Sequence, residues 1–352
     1  MSPLGLAELF RRQGEHCLPG SPLYHALLVS AADDIAAGGV TAEVMSGHEA
    51  DLPDSLPALR LMAAVHRLVL QRRAPELAAY YPSVGGAGAP GQAWPAFRRL
   101  LAGRNVEVRD LLDRPVQTND VGRSAALFGG LLVAAHRTGL PIRLLEVGAS
   151  AGLNLRVEHF CYQVDGFAVL GDPASEVQLA DPWVGWPPAT QDNTLTVASR
   201  RGCDPAPIDP ATNDGRLTLT SYVWADWLAR LQRLQDALAV AARVPAEVDR
   251  AHADEWLSGQ LAEPQPGVVT VVWHSVVWQY LGAAEQERAR QVLLGAAARA
   301  TSDAPLAHLT LEPRQGAAHP WSFELWLWLW PGLEEGTFLG RSPGHGMPIA
   351  WA

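Results

Sequence analysis

The sequence is poor in cysteine, and its few cysteines form no pattern. The 352 residues include only Cys17, Cys161 and Cys203, with no CxxC pair and no repeated spacing. We therefore expect neither a disulfide framework nor a structural zinc site, and cysteine usage of this kind is typical of a reducing compartment. The histidines form no HxxxH or HxH pattern either, so we predict no metal site. A cytoplasmic location is the corresponding expectation.

Long hydrophobic runs are also missing. A membrane-spanning helix needs roughly 18 or more consecutive apolar residues. The most apolar segment, residues 321–330, is about half as long and contains Glu324. The N-terminal segment carries charges within its first apolar run, unlike a signal peptide. We predict a soluble protein with no membrane partner.

Basic residues are outnumbered. Lysine and arginine together number 27 and aspartate and glutamate 37, which gives a formal net charge of −10. Nucleic-acid binding depends on clustered basic residues that neutralise phosphates, so we expect no nucleic-acid partner. With 48% hydrophobic and 18% charged residues, the chain has the composition of a globular protein and the length of one large or two modest domains.

Residues 1–115 show the periodicity of helices. Apolar side chains recur at i, i+3 and i+4 in residues 4–13, 21–37 and 56–73. We predict a helical N-terminal domain over 1–115 that caps the mouth of the domain after it. Tyr81 lies at the edge of a glycine-rich segment, residues 83–93. Two interpretations of Tyr81 stay open, a lid residue that contacts substrate and ordinary packing at a helix end.

Residues 116–352 alternate between continuous apolar runs and helical patterns. This alternation is typical of an α/β fold with a doubly wound, mostly parallel sheet. The last two strands have no helix between them and should form an antiparallel hairpin, while hairpin signals at about 161–190 indicate an insertion. The seven predicted strands are 142–147, 195–202, 217–224, 268–275, 306–312, 323–330 and a last strand around 347–351, and the main predicted helices are 121–137, 227–242, 246–261 and 285–301.

One strand-to-helix turn organises the predicted site. The strand at 142–147 contains Glu146 and is followed by Gly148 and Gly152, and then by a segment that contains Asn154. Such a turn forms where the backbone must press closely against a ligand. Ligands of open α/β sheets bind beyond the carboxyl ends of the strands. The predicted strand-end residues that join the turn are Asp204, Asp226, His274 and Ser275.

The spacing within the turn separates two classes of cofactor. Dinucleotide enzymes use GxGxxG with an acidic residue about 20 positions later. Here the turn reads GASAG, and Glu146 precedes its first glycine by two residues. That arrangement suits a cofactor with an ammonium group and no phosphates, such as S-adenosylmethionine. A carboxylate at Asp204 suits a ribose diol, and Asp226 could accept a hydrogen bond from the adenine amino group.

Several neighbouring residues have two interpretations. Asn119 or Asp120 can cap the helix that follows them. Alternatively, Asn119 and Arg123 are donors to a carboxylate bound above the sheet. His274 is either a base or substrate contact, or a strand-end histidine satisfied by the backbone. Trp278 could stack on adenine or face a sulfonium cation. Trp326, Trp328 and Trp330 share one strand face, and we expect them to pack against the helical domain or a second copy of the chain.

Five segments carry a resemblance to known families. They are TNDVGRSAAL, LLEVGASAGLNL, RRGCDPAPID, SYVWADW and VVWHSVVWQYL. The arrangement resembles the Rossmann-like, seven-stranded fold of class I S-adenosylmethionine-dependent methyltransferases. More closely, the chain resembles a bacterial family catalogued as domain of unknown function 2332, over nearly its whole length.

The resemblance implies roles for named residues. Glu146, Gly148, Ser150 and Gly152 would match the first methyltransferase motif. Asp204 would bind the ribose, Asp226 the adenine, and His274 would face the substrate. The sequence departs from the pattern at Ser150, which replaces the middle glycine. It also departs at Asp204, which lies far along the chain because residues 161–190 intervene, so Asp165 and Asp172 are rival ribose ligands.

Three functional hypotheses follow. The first is an S-adenosylmethionine-dependent methyltransferase that acts on an unidentified small molecule. The second is a divergent or non-catalytic protein of the same fold that binds a nucleoside-type ligand or a protein partner. The third, a dinucleotide-dependent oxidoreductase, lacks its GxGxxG motif. The remaining histidines, His308 among them, have no motif-like neighbours and are interpreted as structural or surface residues.

Overall fold

A computed structural model describes residues 3–48, 55–164, 169–187, 195–313 and 322–352. The chain forms two compact units, one of residues 1–118 with 212–234 and the other of residues 119–211 with 235–352. The first unit therefore includes residues 212–234, which the sequence had placed in the second domain.

The first unit is helical. Ser21 caps its second helix by accepting a hydrogen bond from the backbone N–H of Tyr24, and Pro22 occupies the first helical turn. Its core contains the fully buried side chains of Phe10, Leu61 and Phe97. The helices before the sheet are α1 Pro3–Cys17, α2 Pro22–Ala36, α3 Val40–Val44, α4 Pro57–Leu70, α5 Pro75–Ala78, α6 Trp94–Gly103 and α7 Asn105–Leu112. The predicted helical character of residues 1–115 is confirmed by these elements.

The second unit is built on strands that follow the predicted apolar runs. Its strands are β1 Ile142–Val147, β2 Cys161–Gln163, β3 Val169–Gly171, β4 Gln178–Ala180, β5 Trp183–Val184, β6 Val197–Asp204, β7 Glu247–Arg250, β8 Val269–Ser275, β9 Leu306–Pro313, β10 Phe323–Trp330, β11 Leu333–Ser342 and β12 Ile349–Trp351. The remaining helices along the chain are α8 Ser124–Thr138, α9 Asn213–Ser221, α10 Leu228–Arg243, α11 Ala253–Gln260 and α12 Ala283–Ala297.

The large sheet is mainly parallel and has its antiparallel strands towards the end of the chain. Its order is β5-β12-β11-β10-β9-β8-β1-β6-β7. Strands β9, β8, β1, β6 and β7 are parallel, whereas β10 pairs antiparallel with both β9 and β11. The predicted α/β class and antiparallel C-terminal strands are confirmed. The antiparallel partners of β10 are β9 and β11, and β11 is a strand that was not predicted; the predicted last strand, β12, pairs with β11 instead. The sheet has nine strands rather than the predicted seven.

Two of the predicted elements are wrong. The predicted strand at 217–224 is largely helix α9, which Thr212 caps by accepting from the backbone N–H of Gly215. The alternating Leu217 and Leu219 imitate a strand, but the cap and the Thr218 hydroxyl, which donates to the carbonyl of Asp214, belong to a helix. The predicted helix at 246–261 begins instead with edge strand β7, which pairs with β6.

The insertion after the glycine turn forms a separate small sheet. Strand β2 pairs antiparallel with β3 and parallel with β4. The hairpin predicted there is therefore present as β2 and β3, and its expected tip around Asp165 lies outside the described residues.

Helices cover both faces of the large sheet. Helices α11 and α12 pack Leu257 and Leu293 against Leu145 and Val272 on one face. On the other face, Gly130 of α8 allows such a close approach that an added Cβ would lie 2.4 Å from a methyl carbon of Leu309. Among the described helices, none is long and apolar enough to cross a membrane.

Candidate functional site at the carboxyl ends of the parallel strands

The turn after β1 has a left-handed backbone at three positions. Gly148, Ser150 and Gly152 have φ values of 69°, 54° and 65°. Ser150, which stands where the methyltransferase pattern has its middle glycine, thus adopts a conformation that favours glycine. A Cβ on Gly148 would lie 2.3 Å from Val277 Cγ2, and no larger residue fits there without displacing that side chain.

The backbone N–H groups of this turn are bound by other groups of the protein. Asp204 Oδ2 accepts from the N–H of Ser150 at 3.0 Å, and Asn119 Oδ1 accepts from the N–H of Leu153 at 2.8 Å. The Asn154 side chain donates to the carbonyl of Asp120 at 3.2 Å. The structure thus brings Asn119, Ser150, Asn154 and Asp204 together, and the N–H groups of Ser150 and Leu153 point at side chains rather than at an open phosphate cradle.

Asp120, rather than Asn119, supplies the helix cap. Its carboxylate accepts from the backbone N–H of Gly122 at 3.1 Å, at the start of the short helical turn Val121–Arg123 that precedes α8. Its second oxygen lies 2.9 Å from Nδ1 of His345. Arg123 donates to two carbonyl oxygens, those of Ser275 and Gly344, each at 3.2 Å.

Glu146 is buried and incompletely bonded. It is 3% exposed, and its Oε2 atom has no hydrogen-bond partner among the described residues. Burial raises the pKa of Glu146 to about 8, although the Trp273 indole and the positive charges of Arg123 and Arg156 act in the opposite direction. Near neutral pH, this carboxyl group therefore keeps a proton unless a cation or a further donor reaches it.

His274 has side-chain partners at both ring nitrogens. Nδ1 lies 2.7 Å from Glu312 Oε1, and Nε2 lies 3.0 Å from Nε2 of His308. Its ring also stacks on Trp278, with 4.7 Å between the ring centres. Of the two interpretations of His274, the one in which the backbone satisfies its ring is wrong, because both nitrogens have side-chain partners.

His308 and Glu312 were missed by the sequence reasoning. Burial, with a further contribution from His274, lowers the pKa of His308 well below its usual value. The period of two along β9 places residues 308 and 312 on one face, and β9 is the neighbour of β8. That strand adjacency was the missing signal, since neither residue lies near His274 in the sequence.

Glu312 also holds the segment that follows β8. Its Oε1 atom accepts from the backbone N–H groups of Val277 and Trp278 at 3.1 and 3.2 Å. Val276 has a φ of 53°, which is unfavourable for a β-branched residue. Such a backbone conformation costs on the order of 1–3 kcal/mol and persists only where the surroundings hold it.

Glu146 and His274 lie on opposite faces of the sheet. In the parallel pairing of β1 with β8, Glu146 is opposite Trp273, and His274 is opposite Val147. Residues opposite each other share a face and successive residues alternate. His274 therefore points to the α11 and α12 side, and Glu146 to the α8 side.

Two predicted site residues belong to the first compact unit. Asp226 does not end a strand; it follows α9 and accepts hydrogen bonds from the N–H of Leu23 at 3.0 Å and from the Ser21 hydroxyl. Tyr81 is fully buried, and burial raises the pKa of its hydroxyl group.

The remaining predicted residues lie in the second unit. Ser275 is the last residue of β8, and Trp278 begins a short helical turn three residues later. The rival acid Asp172 accepts from the N–H of Ala174 at 2.9 Å beside the small sheet, whereas Asp165 lies outside the described residues. Trp326 stacks on Trp328, which in turn stacks on His308. The row of tryptophans on this strand face therefore contacts His308, the partner of His274.

Comparison with known proteins identifies the family. A family model described as "Uncharacterized protein conserved in bacteria (DUF2332)" matches residues 7–351. The chain therefore belongs to this family, as its motifs predicted. No curated protein and no solved structure matches it.

Proposed function

We propose that this member of the DUF2332 family is an S-adenosylmethionine-dependent methyltransferase that acts on a small molecule. The observation that carries the proposal is Glu146, a buried carboxyl group beside a glycine turn whose Oε2 atom has no hydrogen-bond partner in the described part of the chain. The turn follows β1, which lies between β8 and β6 in the sheet. After β1 the chain builds the sheet on one side with β6 and β7, and it then crosses to the other side with β8. Ligands of open α/β sheets bind at such a switch point.

The charges of the residues at the glycine turn are complementary to those of the cofactor. The Glu146 carboxylate would pair with the ammonium group of the cofactor, and no described residue of the chain supplies a partner to its Oε2 atom. The N–H of Ser150 is bound to Asp204 and the N–H of Leu153 to Asn119; this arrangement favours a ligand without phosphates over a dinucleotide. Asp204, tied to the turn, is the acid that we assign to the ribose.

The cofactor would supply an electrophilic methyl group, and the chain must position an acceptor and remove its proton. We propose His274 as the base that accepts this proton. His274 lies on the opposite face of the sheet from Glu146, so the acceptor would approach from the α11 and α12 side. Because its Nε2 atom faces His308 and its Nδ1 atom faces Glu312, a proton reaches His274 by way of one of these two residues.

Calorimetric titration with S-adenosylmethionine and S-adenosylhomocysteine tests the proposal, with NAD as the comparison ligand. Because the ammonium group pairs with the ionised form of Glu146, binding at pH 7 should release about one proton. Affinity should rise about tenfold per pH unit between pH 6 and 7 and level off above the pKa of about 8. Glu146→Gln should abolish both effects, whereas Glu335→Gln, at an exposed position on β11, should not. The absence of heat and of any melting shift at millimolar ligand would refute the proposal.

A second candidate is a divergent member that binds the ligand without catalysis. It is favoured by the Val277 side chain on the glycine turn and by the occupied nitrogens of His274. This candidate predicts binding without turnover against any pool of acceptors. Detection of a methylated product by mass spectrometry would eliminate it.

A further inference from the structure

The segment after β8 lies directly on the glycine turn. We define the β8 loop as residues 276–278. Its central side chain, Val277, places Cγ2 2.3 Å and Cβ 2.9 Å from the position that a Cβ on Gly148 would occupy. The first glycine of the turn is thus covered by a residue of the same compact unit.

The β8 loop is held in a conformation that its own sequence does not favour. Val276 is β-branched and has a φ of 53°. A single oxygen, Glu312 Oε1, accepts from the N–H of Val277, from the N–H of Trp278 and from Nδ1 of His274. The Trp278 ring also stacks on His274, so the two residues contact each other as well as Glu312.

We infer that Glu312 is a positioning residue that latches the β8 loop over the glycine turn, and that a ligand of the turn enters by displacing Val277. The identity of the ligand in this inference rests on the proposed function. The latch itself rests only on the contacts of Glu312. A ligand that binds only the open form has its apparent affinity reduced by the fraction of molecules that are open. Weakening the latch should therefore tighten ligand binding.

Hydrogen exchange followed by mass spectrometry tests the latch without any ligand. In Glu312→Gln, an oxygen remains for the loop N–H groups but the charge is lost, so amides of residues 276–278 should exchange about tenfold faster than in the wild type. Glu335→Gln removes an exposed glutamate of the same sheet and should leave exchange in the loop unchanged. Equal protection of the loop in wild type and Glu312→Gln would overturn the inference.

Titration with S-adenosylmethionine tests the covering side chain. Val277→Ala should lower the dissociation constant about tenfold if Val277 must move aside. The matched control is Val248→Ala, because Val248 Cγ2 lies 2.8 Å from the position of a Cβ on Gly152, the last glycine of the turn, but belongs to strand β7. Val248→Ala should not lower the dissociation constant. Weaker binding by Val277→Ala would contradict the inference that the ligand enters by displacing Val277.

The two experiments separate failure of the inference from failure of the proposed function. If neither wild type nor Val277→Ala binds the cofactor while the loop exchanges faster in Glu312→Gln, the methyltransferase proposal falls and the latch stands. If the wild type binds and both variants behave as the wild type in exchange and affinity, the latch falls and the proposed function stands.

Discussion

Two glutamates near the carboxyl ends of the parallel strands on either side of β8 differ in burial and in hydrogen bonding. Glu312, on β9, accepts three hydrogen bonds through Oε1, and one of them comes from His274. In both residues Oε2 has no hydrogen-bond partner among the described residues. Glu146, on β1, is 3% exposed, whereas the side chain of Glu312 is 18% exposed, and burial raises the pKa of Glu146 to about 8. The difference shows that the burial of a carboxyl group and its hydrogen-bond partners together define its role. Glu312 organises a loop, whereas Glu146 requires a proton or a ligand.

The two regions also share a feature. Each contains one residue other than glycine in the left-handed region, Ser150 in the turn and Val276 in the β8 loop. Val276 carries the greater penalty because it is β-branched. Substitutions at Glu146, Glu312, Ser150 and Val276 therefore test how the two regions differ.

The largest expected effect is the pH dependence that Glu146 confers on stability. Its pKa is raised from 4.5 to about 8 in the folded state, so the folded state binds more protons than the unfolded state between these values. The contribution of Glu146 to stability is then greatest below pH 4.5 and is lost as pH rises towards 8, by as much as about 5 kcal/mol. Urea unfolding of wild type and Glu146→Gln at pH 5 and pH 9 measures this difference. An identical pH profile for the two proteins would show that Glu146 titrates normally.

The next effect is the loss of Glu312. Glu312→Ala leaves Nδ1 of His274 and two backbone N–H groups without their acceptor, which should lower the free energy of unfolding by about 3 kcal/mol. By contrast, Glu146→Gln at pH 6 should cost less than about 1 kcal/mol, because Glu146 is already protonated there. Urea unfolding at pH 6 compares the two. Equal losses would mean that the two glutamates are equivalent after all.

The smallest effect concerns the two strained positions. Val276→Gly should raise the free energy of unfolding by about 0.5–1 kcal/mol, because the relieved strain exceeds the entropic cost of glycine. Ser150→Gly should change it by less than about 0.5 kcal/mol, since these terms nearly cancel. Melting temperatures of the wild type and the two variants show which substitution stabilises the protein more. A clear destabilisation by Val276→Gly would show that contacts of the valine side chain outweigh its backbone strain.

Much of the sheet could be predicted from local patterns. The predicted strand at 323–330 has the observed bounds of β10, and the prediction of 268–275 for β8 is one residue too long. Both are continuous or alternating apolar runs bounded by turn residues, which is a strong signal. Strand β7, with the sequence EVDR, lacks such a run because an edge strand of four residues buries little. Helix α9 was missed because alternating leucines and threonines have the period of a strand.

The residues of the candidate site also fall into those that the sequence predicted and those that it did not. The glycine turn with Asn119, Ser150 and Asp204 was predicted, because the carboxyl ends of consecutive parallel strands meet at one edge of the sheet. Asp226, grouped with them, belongs to the first compact unit and binds the start of α2 there. His308 and Glu312 were missed, since their contact with His274 depends on which strand lies beside β8.

The sequence by itself determined the family, the α/β class and the turn at β1, because these depend on motifs and on hydrophobic periodicity along short segments. Only the tertiary structure decided that Glu146 and His274 face opposite sides of the sheet and that Glu312 holds the loop over the glycine turn. Strand order and register join residues far apart in the chain, and such pairings leave no local pattern to read.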